Sequence, residues 1–181
     1  LPESVPGTSV DRQCGSSQQA LHFAAQAVMS GTQDVVIAGG VEVMSLVPIG
    51  ASVKDGYDAG HGFPFNALGI ESRYPGVFFS QFTGAELVAK KWNLSREDLD
   101  NFALSSHKKA AYATEQGFFN NEILAIQSKS DANTGLLIHQ DEGIRYDASI
   151  EALSGLKTVI EDGLITAGNA SQITDGASAI M

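Results

Sequence analysis

The stretch from residue 9 to residue 40 constrains the fold more than any other part of the chain. Gln18–Met29 has the length of a helix, ends at Ser30-Gly31 as a C-terminal cap, and carries apolar residues on all sides. This pattern predicts a helix enclosed by other elements. We expect Ser9–Asp11 to be the end of a strand and Asp34–Ala38 to be a short buried strand. Gly39-Gly40 then requires a sharp turn or a close approach of the backbone. Strand, helix and strand in this order indicate an α/β fold.

The only cysteine stands between the expected first strand and this helix. In Asp11-Arg12-Gln13-Cys14-Gly15-Ser16-Ser17, Cys14 lies near the unpaired N–H groups at the positive end of the helix dipole. These favour the nucleophilic thiolate and are suited to stabilising an oxyanion during acyl transfer. Most free cysteines are instead small buried hydrophobic residues, and the same order of elements occurs in hydrolases. The local pattern indicates a nucleophile without specifying its reaction.

Three zones divide the chain. Residues 1–45 are apolar and glycine-rich, residues 46–165 carry most of the charge and nearly all aromatic residues, and residues 166–181 return to small apolar residues. This order predicts one domain core, formed by 1–45 and 166–181, that is interrupted by a loop domain over 46–165.

Two helices are expected in the interrupting segment. The first is amphipathic and covers Thr83–Trp92, with four expected inner positions: Ala85, Leu87, Val88 and Trp92. The second begins at a capping box of Ser95 and Asp98 and reaches about Glu115, before Gly117. A strand over Glu122–Gln127 and a polar loop over Lys129–Gly135 are expected to follow.

Charge and hydropathy exclude two classes of partner. The chain has 21 acidic and 11 basic residues and a formal net charge of -10, which repels nucleic acid unless basic residues cluster. The tightest basic groups are the pairs Lys90-Lys91 and Lys108-Lys109. No run approaches the roughly 20 apolar residues of a membrane span. Since one cysteine forms no internal disulfide, a reducing compartment such as the cytoplasm is expected.

Three segments, in order, carry a resemblance to a known family. Asp11–Leu21 is similar to the acyl-enzyme motif of the thiolases, and Val36–Ser45 resembles the next strand of that family with its Gly-Gly-x-Glu-x-Met-Ser sequence. Ile165–Ala177 resembles the motif that returns the chain from its insertion to the core. The resemblance covers all 181 residues and implies a thiolase-like layered α-β-α half-domain interrupted by a loop domain.

The resemblance also implies a reaction and its residues. Thiolases exchange an acyl group between 3-ketoacyl-CoA and CoA, so Cys14 is expected to carry the acyl group. Coenzyme A is then a substrate, and no metal or permanently bound cofactor is implied. Ser171 matches the serine that hydrogen-bonds the pantetheine arm, and Ala167 and Ile173 are expected to line the pantetheine tunnel. Arg145 matches an arginine near the adenine-ribose end of CoA.

The expected acyl pocket departs from the family pattern. Gln81-Phe82 stands where many thiolases have Met-Gly, which implies a different pocket and leaves open acetoacetyl-CoA or longer and bulkier substrates. Other phenylalanines are candidates for its walls, although an aromatic cluster is more often part of a core: Phe63, Phe65, Phe78 and Phe79.

Other groups that thiolases need are absent from these 181 residues: the Gly-His-Pro histidine, the second cysteine and the Asn-Glu-Ala-Phe segment. The four histidines do not replace them, and His22 is expected to pack within its helix. We therefore expect an incomplete piece of the enzyme, inactive or nearly so alone, from a full-length homodimer or tetramer. The alternatives are a ketoacyl synthase, which generally lacks the long insertion, a cysteine hydrolase, and a non-catalytic acyl-CoA-binding module.

Overall fold

The structure is a computed structural model, and it describes residues 1–128 and 135–181. The chain forms two compact units, one of Leu1–Asp55 with Ile173–Met181 and the other of Gly56–Gln172. The polar loop predicted over Lys129–Gly135 lies outside the described residues except for Gly135. The domain limits at residues 45 and 165 stay a prediction.

Six helices and four strands are described within residues 1–128 and 135–181. The helices are α1 (Ser16–Met29), α2 (Ala51–Gly56), α3 (Leu68–Arg73), α4 (Gln81–Lys91), α5 (Arg96–Glu115) and α6 (Ile150–Ser154). The strands are β1 (Ala38–Val43), β2 (Ile126–Gln127), β3 (Leu137–Ile138) and β4 (Asp175–Ile180). Short 3-10 turns cover Gln13–Gly15 and Pro64–Asn66, and a π-type turn covers Tyr57–His61.

The first unit packs α1 against a pair of antiparallel strands. β1 pairs with β4 from Ala38 opposite Ile180 to Val43 opposite Asp175. The predicted strand over Asp34–Ala38 is therefore wrong except at its last residue. A strand forms where a partner supplies hydrogen bonds for its backbone, and β4 supplies them from Ala38 onward.

A side-chain contact joins the ends of these strands. Asp175 accepts hydrogen bonds from the Ser45 hydroxyl at 2.6 Å and from the Ser45 backbone N–H at 2.9 Å. The hydroxyl bond first, and then the backbone bond, lower the pKa of Asp175. The carboxylate thus ties the start of β4 to the turn after β1.

Helix α1 is confirmed, and it begins two residues before the predicted start at Gln18. Its end is a Schellman motif: the Gly31 N–H donates to the Val28 carbonyl at 3.0 Å, and the Thr32 N–H donates to the Ala27 carbonyl at 3.2 Å. Gly31 has φ +72°, the left-handed conformation that the C′ position requires.

The prediction that α1 is enclosed is wrong for the described residues. None of its residues is buried, and its large apolar side chains on different sides, Phe23 and Met29, are 51% and 87% exposed. His22, expected to pack, is also exposed. The reason is that β1 and the turn over Gln13–Gly15 are the main elements in contact with the helix, and together they cover little of its surface.

In the second unit, α5 follows the prediction at both ends. The Ser95 hydroxyl accepts from the Asp98 N–H at 3.1 Å, and the Asp98 carboxylate accepts from the Ser95 N–H at 2.8 Å. Hydrogen bonds from Ser95, through its side chain first, lower the pKa of Asp98. After α5, Gly117 has φ +70° and ends the helix as predicted.

Helix α4 is confirmed with a corrected start and a corrected inner face. It begins at Gln81, because the Ser80 hydroxyl accepts the Thr83 N–H at 3.0 Å as an N-cap. Ala85 is half-buried, as expected of an inner position, and Ala89 is buried. Three of the expected inner positions are instead exposed: Leu87, Val88 and Trp92. The packed side is the one that carries the small residues.

The predicted strand over Glu122–Gln127 forms only at its end, as β2. Ile126 pairs with Ile138 and Gln127 with Leu137 in an antiparallel ladder with β3. The buried part of the unit lies elsewhere, between α5, α6 and the segment that leads to Asn169. The buried apolar side chains of the unit are Ala89, Leu104, Leu153 and Ile165.

Candidate active site

Cys14 lies in the tight turn that opens α1, and its side chain is exposed. Helix α1 begins two residues later, so the thiol stands at the N-terminal end of a helix of 14 residues, as predicted. The predicted strand before it, Ser9–Asp11, is wrong. The described strands pair as β1 with β4 and β2 with β3, and neither pair includes this segment.

Ser16 holds the two sides of this turn together. Its hydroxyl accepts the Arg12 N–H at 2.8 Å and donates to the Gln13 carbonyl at 2.7 Å. The Asp11 carboxylate accepts the Gln13 N–H at 3.0 Å. The residues that flank Cys14 are therefore fixed by local hydrogen bonds instead of by a preceding strand.

Gln13, directly before the cysteine, has φ +49°. Left-handed backbone is uncommon for a residue with a Cβ, and such residues cluster at functional sites. This feature is not predictable from the sequence, because a glutamine carries no signal of positive φ.

Behind the turn, α1 sits very close to β1. A Cβ added to Gly40 would overlap the Ser17 hydroxyl, and one added to Gly39 would stand 2.9 Å from the Ser178 carbonyl oxygen. Of the two predictions for this glycine pair, the close approach is therefore correct and the sharp turn is wrong, since both residues lie inside β1. The missing side chain of Gly40 lets α1, and with it the turn of Cys14, rest on β1, and the missing side chain of Gly39 makes room for β4.

The residues expected to bind CoA are divided between the units. Ala167, Ser171 and Arg145 lie in the second unit, and Ile173 lies in the first. All four are exposed, Ile173 to 70%. Their assignment to CoA stays a prediction.

Within the second unit, Gln172 connects two of the predicted CoA-binding regions. Its side-chain amide donates to the Gly143 carbonyl at 2.6 Å, so the residue after Ser171 is bonded to a residue two positions before Arg145. The backbone N–H of Arg145 donates to His107 at 3.2 Å. Gln172 thus links the segment of Ser171 to the segment of Arg145, a contact that was not predicted from the sequence.

Gln81 and Phe82 form the first turn of α4. Phe82 is 39% exposed, and its place in an acyl pocket stays a prediction. The nearby aromatic residues form a chain of ring contacts with centroids 5.4–6.4 Å apart: Tyr57 to Phe63, Phe63 to Phe65, Phe65 to Phe79 and Phe79 to Tyr74. Phe78 is 71% exposed and is not a member of this chain.

The described residues contain neither a candidate metal site nor a helix suited to crossing a membrane. In residues 1–128 and 135–181, no group of three or more His, Cys, Asp or Glu side chains is arranged to hold a metal ion. None of the helices described over the same ranges combines the length and the apolar character needed to cross a membrane.

Comparison with known proteins gives one family. The model described as "Thiolase, N-terminal domain" matches residues 1–181. A steroid 3-ketoacyl-CoA thiolase of Mycobacterium tuberculosis is 48% identical over 99% of this chain and 43% of its own length. A 3-ketoacyl-CoA thiolase of Bacillus subtilis is 38% identical, and an acetyl-CoA acetyltransferase of Chromobacterium violaceum is 39% identical. These two matches cover 100% of this chain and 46% and 47% of the respective relatives.

A solved structure shows the same fold. The crystal structure of the dimeric peroxisomal thiolase of Saccharomyces cerevisiae matches with a TM-score of 0.74 and 30% identity, over 98% of this chain and 43% of that one. The α/β fold predicted from the sequence is therefore confirmed. The chain spans less than half the length of the relatives it matches.

Proposed function

Because these 181 residues belong to the thiolase family, as its N-terminal domain, we propose that the protein exchanges an acyl group between 3-ketoacyl-CoA and CoA. The observation that carries this proposal is the placement of Cys14. It is exposed, lies in a tight turn fixed by Ser16, and stands at the N-terminal end of α1. A thiol in this position is accessible to substrate and lies at the positive end of the dipole of α1.

The proposed chemistry has two covalent half-reactions. In the direction of cleavage, the Cys14 thiolate attacks the 3-keto carbon and forms a carbon–sulfur bond. The bond between carbons 2 and 3 then breaks, its electron pair stays on carbon 2, and a proton there completes acetyl-CoA. In the second half-reaction the CoA thiol gives up its proton, attacks the acyl-cysteine, takes the acyl group and returns the Cys14 thiolate; the proton released here balances the one taken up at carbon 2. Reversal of these steps is condensation, and the scheme implies ping-pong kinetics.

The CoA part of the substrate is assigned by the same proposal. Ser171 would bond the pantetheine arm between Ala167 and Ile173, and Arg145 would pair with the nucleotide end. The hydrogen bond from Gln172 to Gly143 supports the pairing of Ser171 and Arg145, since it holds their segments together. Coenzyme A enters as substrate, with no permanently bound cofactor.

The acyl group, the assembly and the compartment are finer proposals. Gln81 and Phe82, in the first turn of α4, would face the acyl group. The relative with 48% identity is named a steroid 3-ketoacyl-CoA thiolase. The full-length protein would be a homodimer or tetramer in the cytoplasm, and the matched yeast structure is described as dimeric.

The test is intact-mass spectrometry of the full-length protein before and after acetoacetyl-CoA. The expected result is an acetyl-sized gain in wild type that is lost in Cys14→Ala and reversed by added CoA. A matched control is Ser4→Ala, which alters an exposed residue outside the turn and should keep the adduct. The proposal would be refuted if the adduct persisted in Cys14→Ala, or if the wild-type protein formed no adduct. Release of free acid would indicate a hydrolase, and turnover only with a malonyl donor would indicate a synthase.

A further inference from the structure

A buried carboxylate in the second unit has no assigned role. Asp100, on α5, is 1% exposed, and its two oxygens accept from different partners. Oδ2 accepts from Arg96 Nε at 2.7 Å, and Oδ1 accepts from Asn169 Nδ2 at 2.9 Å. A carboxylate is retained in such a place only when it is fully bonded, since an unpaired buried charge is strongly destabilising.

Arg96 extends this contact to a third element. Its guanidinium donates to the carbonyl oxygens of Leu153 and Leu156, at and just after the C-terminal end of α6. A cation at a helix C-terminus is favourable for the helix dipole. The ion pair of Arg96 and Asp100 therefore joins α5 to the C-terminal end of α6.

Asn169 connects this ion pair to the segment before Ser171 through hydrogen bonds of its side chain. Besides its bond to Asp100, its side chain donates to the Leu164 carbonyl at 3.1 Å and accepts from the Thr166 N–H at 2.8 Å. Thr166 is fully buried, and its hydroxyl accepts the Gly168 N–H at 3.2 Å. The side chains of Thr166 and Asn169 thus bond the backbone of the loop of residues 164–169 to itself, and Ala167 remains exposed.

The other side of the same loop is held from α4. The Glu86 carboxylate oxygen Oε1 accepts the backbone N–H groups of Leu164 and Ile165 at 2.7 and 2.8 Å. Such charge-assisted bonds are among the strong ones in proteins. The segment from residue 164 to residue 169 is anchored to two helices by carboxylates.

We propose that Asp100 and Asn169 are positioning residues that hold the Ala167–Ser171 segment in the shape that receives the pantetheine arm of CoA. The inference rests on the proposed function, because the ligand of Ala167 and Ser171 comes from it. Neither residue contacts the ligand. They act by fixing the exposed backbone between them and the substrate, which lowers the entropy lost when CoA binds.

The test measures CoA binding to the full-length protein by calorimetry, in a Cys14→Ala background that prevents covalent reaction. Asn169→Asp keeps the size of the side chain but sets two carboxylates against each other, and Asp100→Asn makes a donor face a donor. Each is expected to raise the Kd for CoA about tenfold, since one buried polar group loses its partner. Combining the two substitutions restores a donor at residue 100 and an acceptor at residue 169, and should recover part of the affinity.

Steady-state assays with Cys14 intact separate positioning from general damage. Positioning predicts a raised KM for CoA with kcat at saturation within about twofold, because the acyl transfer residues are untouched. Loss of folded protein predicts the opposite, a lower kcat at constant KM. The control is Asn101→Ala, next to Asp100 but exposed, which should change neither constant.

Each outcome has one meaning. Variants that fold, as shown by circular dichroism, and bind CoA as tightly as their parent would overturn the positioning role and leave the proposed function intact. Wild-type protein that neither binds CoA nor forms an adduct would overturn both. If Asn169→Asp does not fold, the Asp100→Asn variant decides, since its shape is almost unchanged. Equal losses in Asn101→Ala would also refute the inference.

Discussion

At the scale of single residues, the backbone of Gln13 is the most unusual feature beside the nucleophile. Its φ of +49° is maintained by two hydrogen bonds: its N–H donates to the Asp11 carboxylate, and its carbonyl accepts from the Ser16 hydroxyl. A left-handed residue with a Cβ costs about 1–2 kcal/mol, so the neighbouring contacts must offset that cost. We infer that this conformation sets the direction of the Cys14 side chain.

Gln13→Val is expected to slow acylation of Cys14 by about tenfold, because a β-branched residue tolerates positive φ poorly and would reshape the turn. Gln13→Gly removes the same side chain without the strain, so it is expected to retain most of the rate. The measurement is rapid-quench mass spectrometry of acyl-enzyme formation in the full-length protein. Equal rates for the valine and glycine variants would show that the backbone of residue 13 does not control the thiol.

At the scale of elements, sequence predicted what is decided by neighbours along the chain. The capping box of Ser95 and Asp98 and the terminal Gly31 and Gly117 were predicted, because each depends on bonds within a few residues. The strand β1 was misplaced, since its limits are set by β4, which lies more than 130 residues later. The hydrophobic pattern of a segment does not show which of its residues will pair with a strand that lies far along the chain.

The candidate site divides along the same line. Cys14 was predicted as the nucleophile from a local pattern and a family motif; the structure places it exposed at the start of α1, and its catalytic role stays a prediction. Asp100 and Asn169 were not identified, because the two side chains meet across 69 residues. The available signal was weaker: an arginine and an aspartate four residues apart on one helix face, and an asparagine within the third family motif.

The packing of α1 on β1 gives a prediction at the same scale. Gly40→Ala should destabilise the protein by about 1–3 kcal/mol, because the new Cβ overlaps the Ser17 hydroxyl and moves the helix. Adding Ser17→Ala removes that oxygen and should restore much of the loss. The measurement is urea unfolding of the full-length protein, with Gly7→Ala as the control since no atom lies within 4 Å of a Cβ there. Additive effects of the two substitutions would contradict the contact.

At the scale of the whole molecule, the first unit has more apolar surface than it covers. Helix α1 has no buried residue, and every residue of β4 is exposed. The all-round apolar pattern of the helix predicted enclosure, but enclosure requires elements that these 181 residues do not supply in the described structure. The matched relatives are more than twice as long as the chain.

The 181 residues expressed alone are therefore expected to associate and to bind a dye that fluoresces on apolar surfaces. Phe23→Lys and Met29→Lys, which place charge on the exposed sides of α1, should reduce both effects. Leu68→Lys is the matched control, because that side chain is 89% exposed in the second unit and should contribute little to association through α1. Size-exclusion chromatography over a range of concentrations provides the measurement. A monomeric chain without dye binding would contradict this prediction, because it would mean that the exposed apolar face of α1 is stable in water.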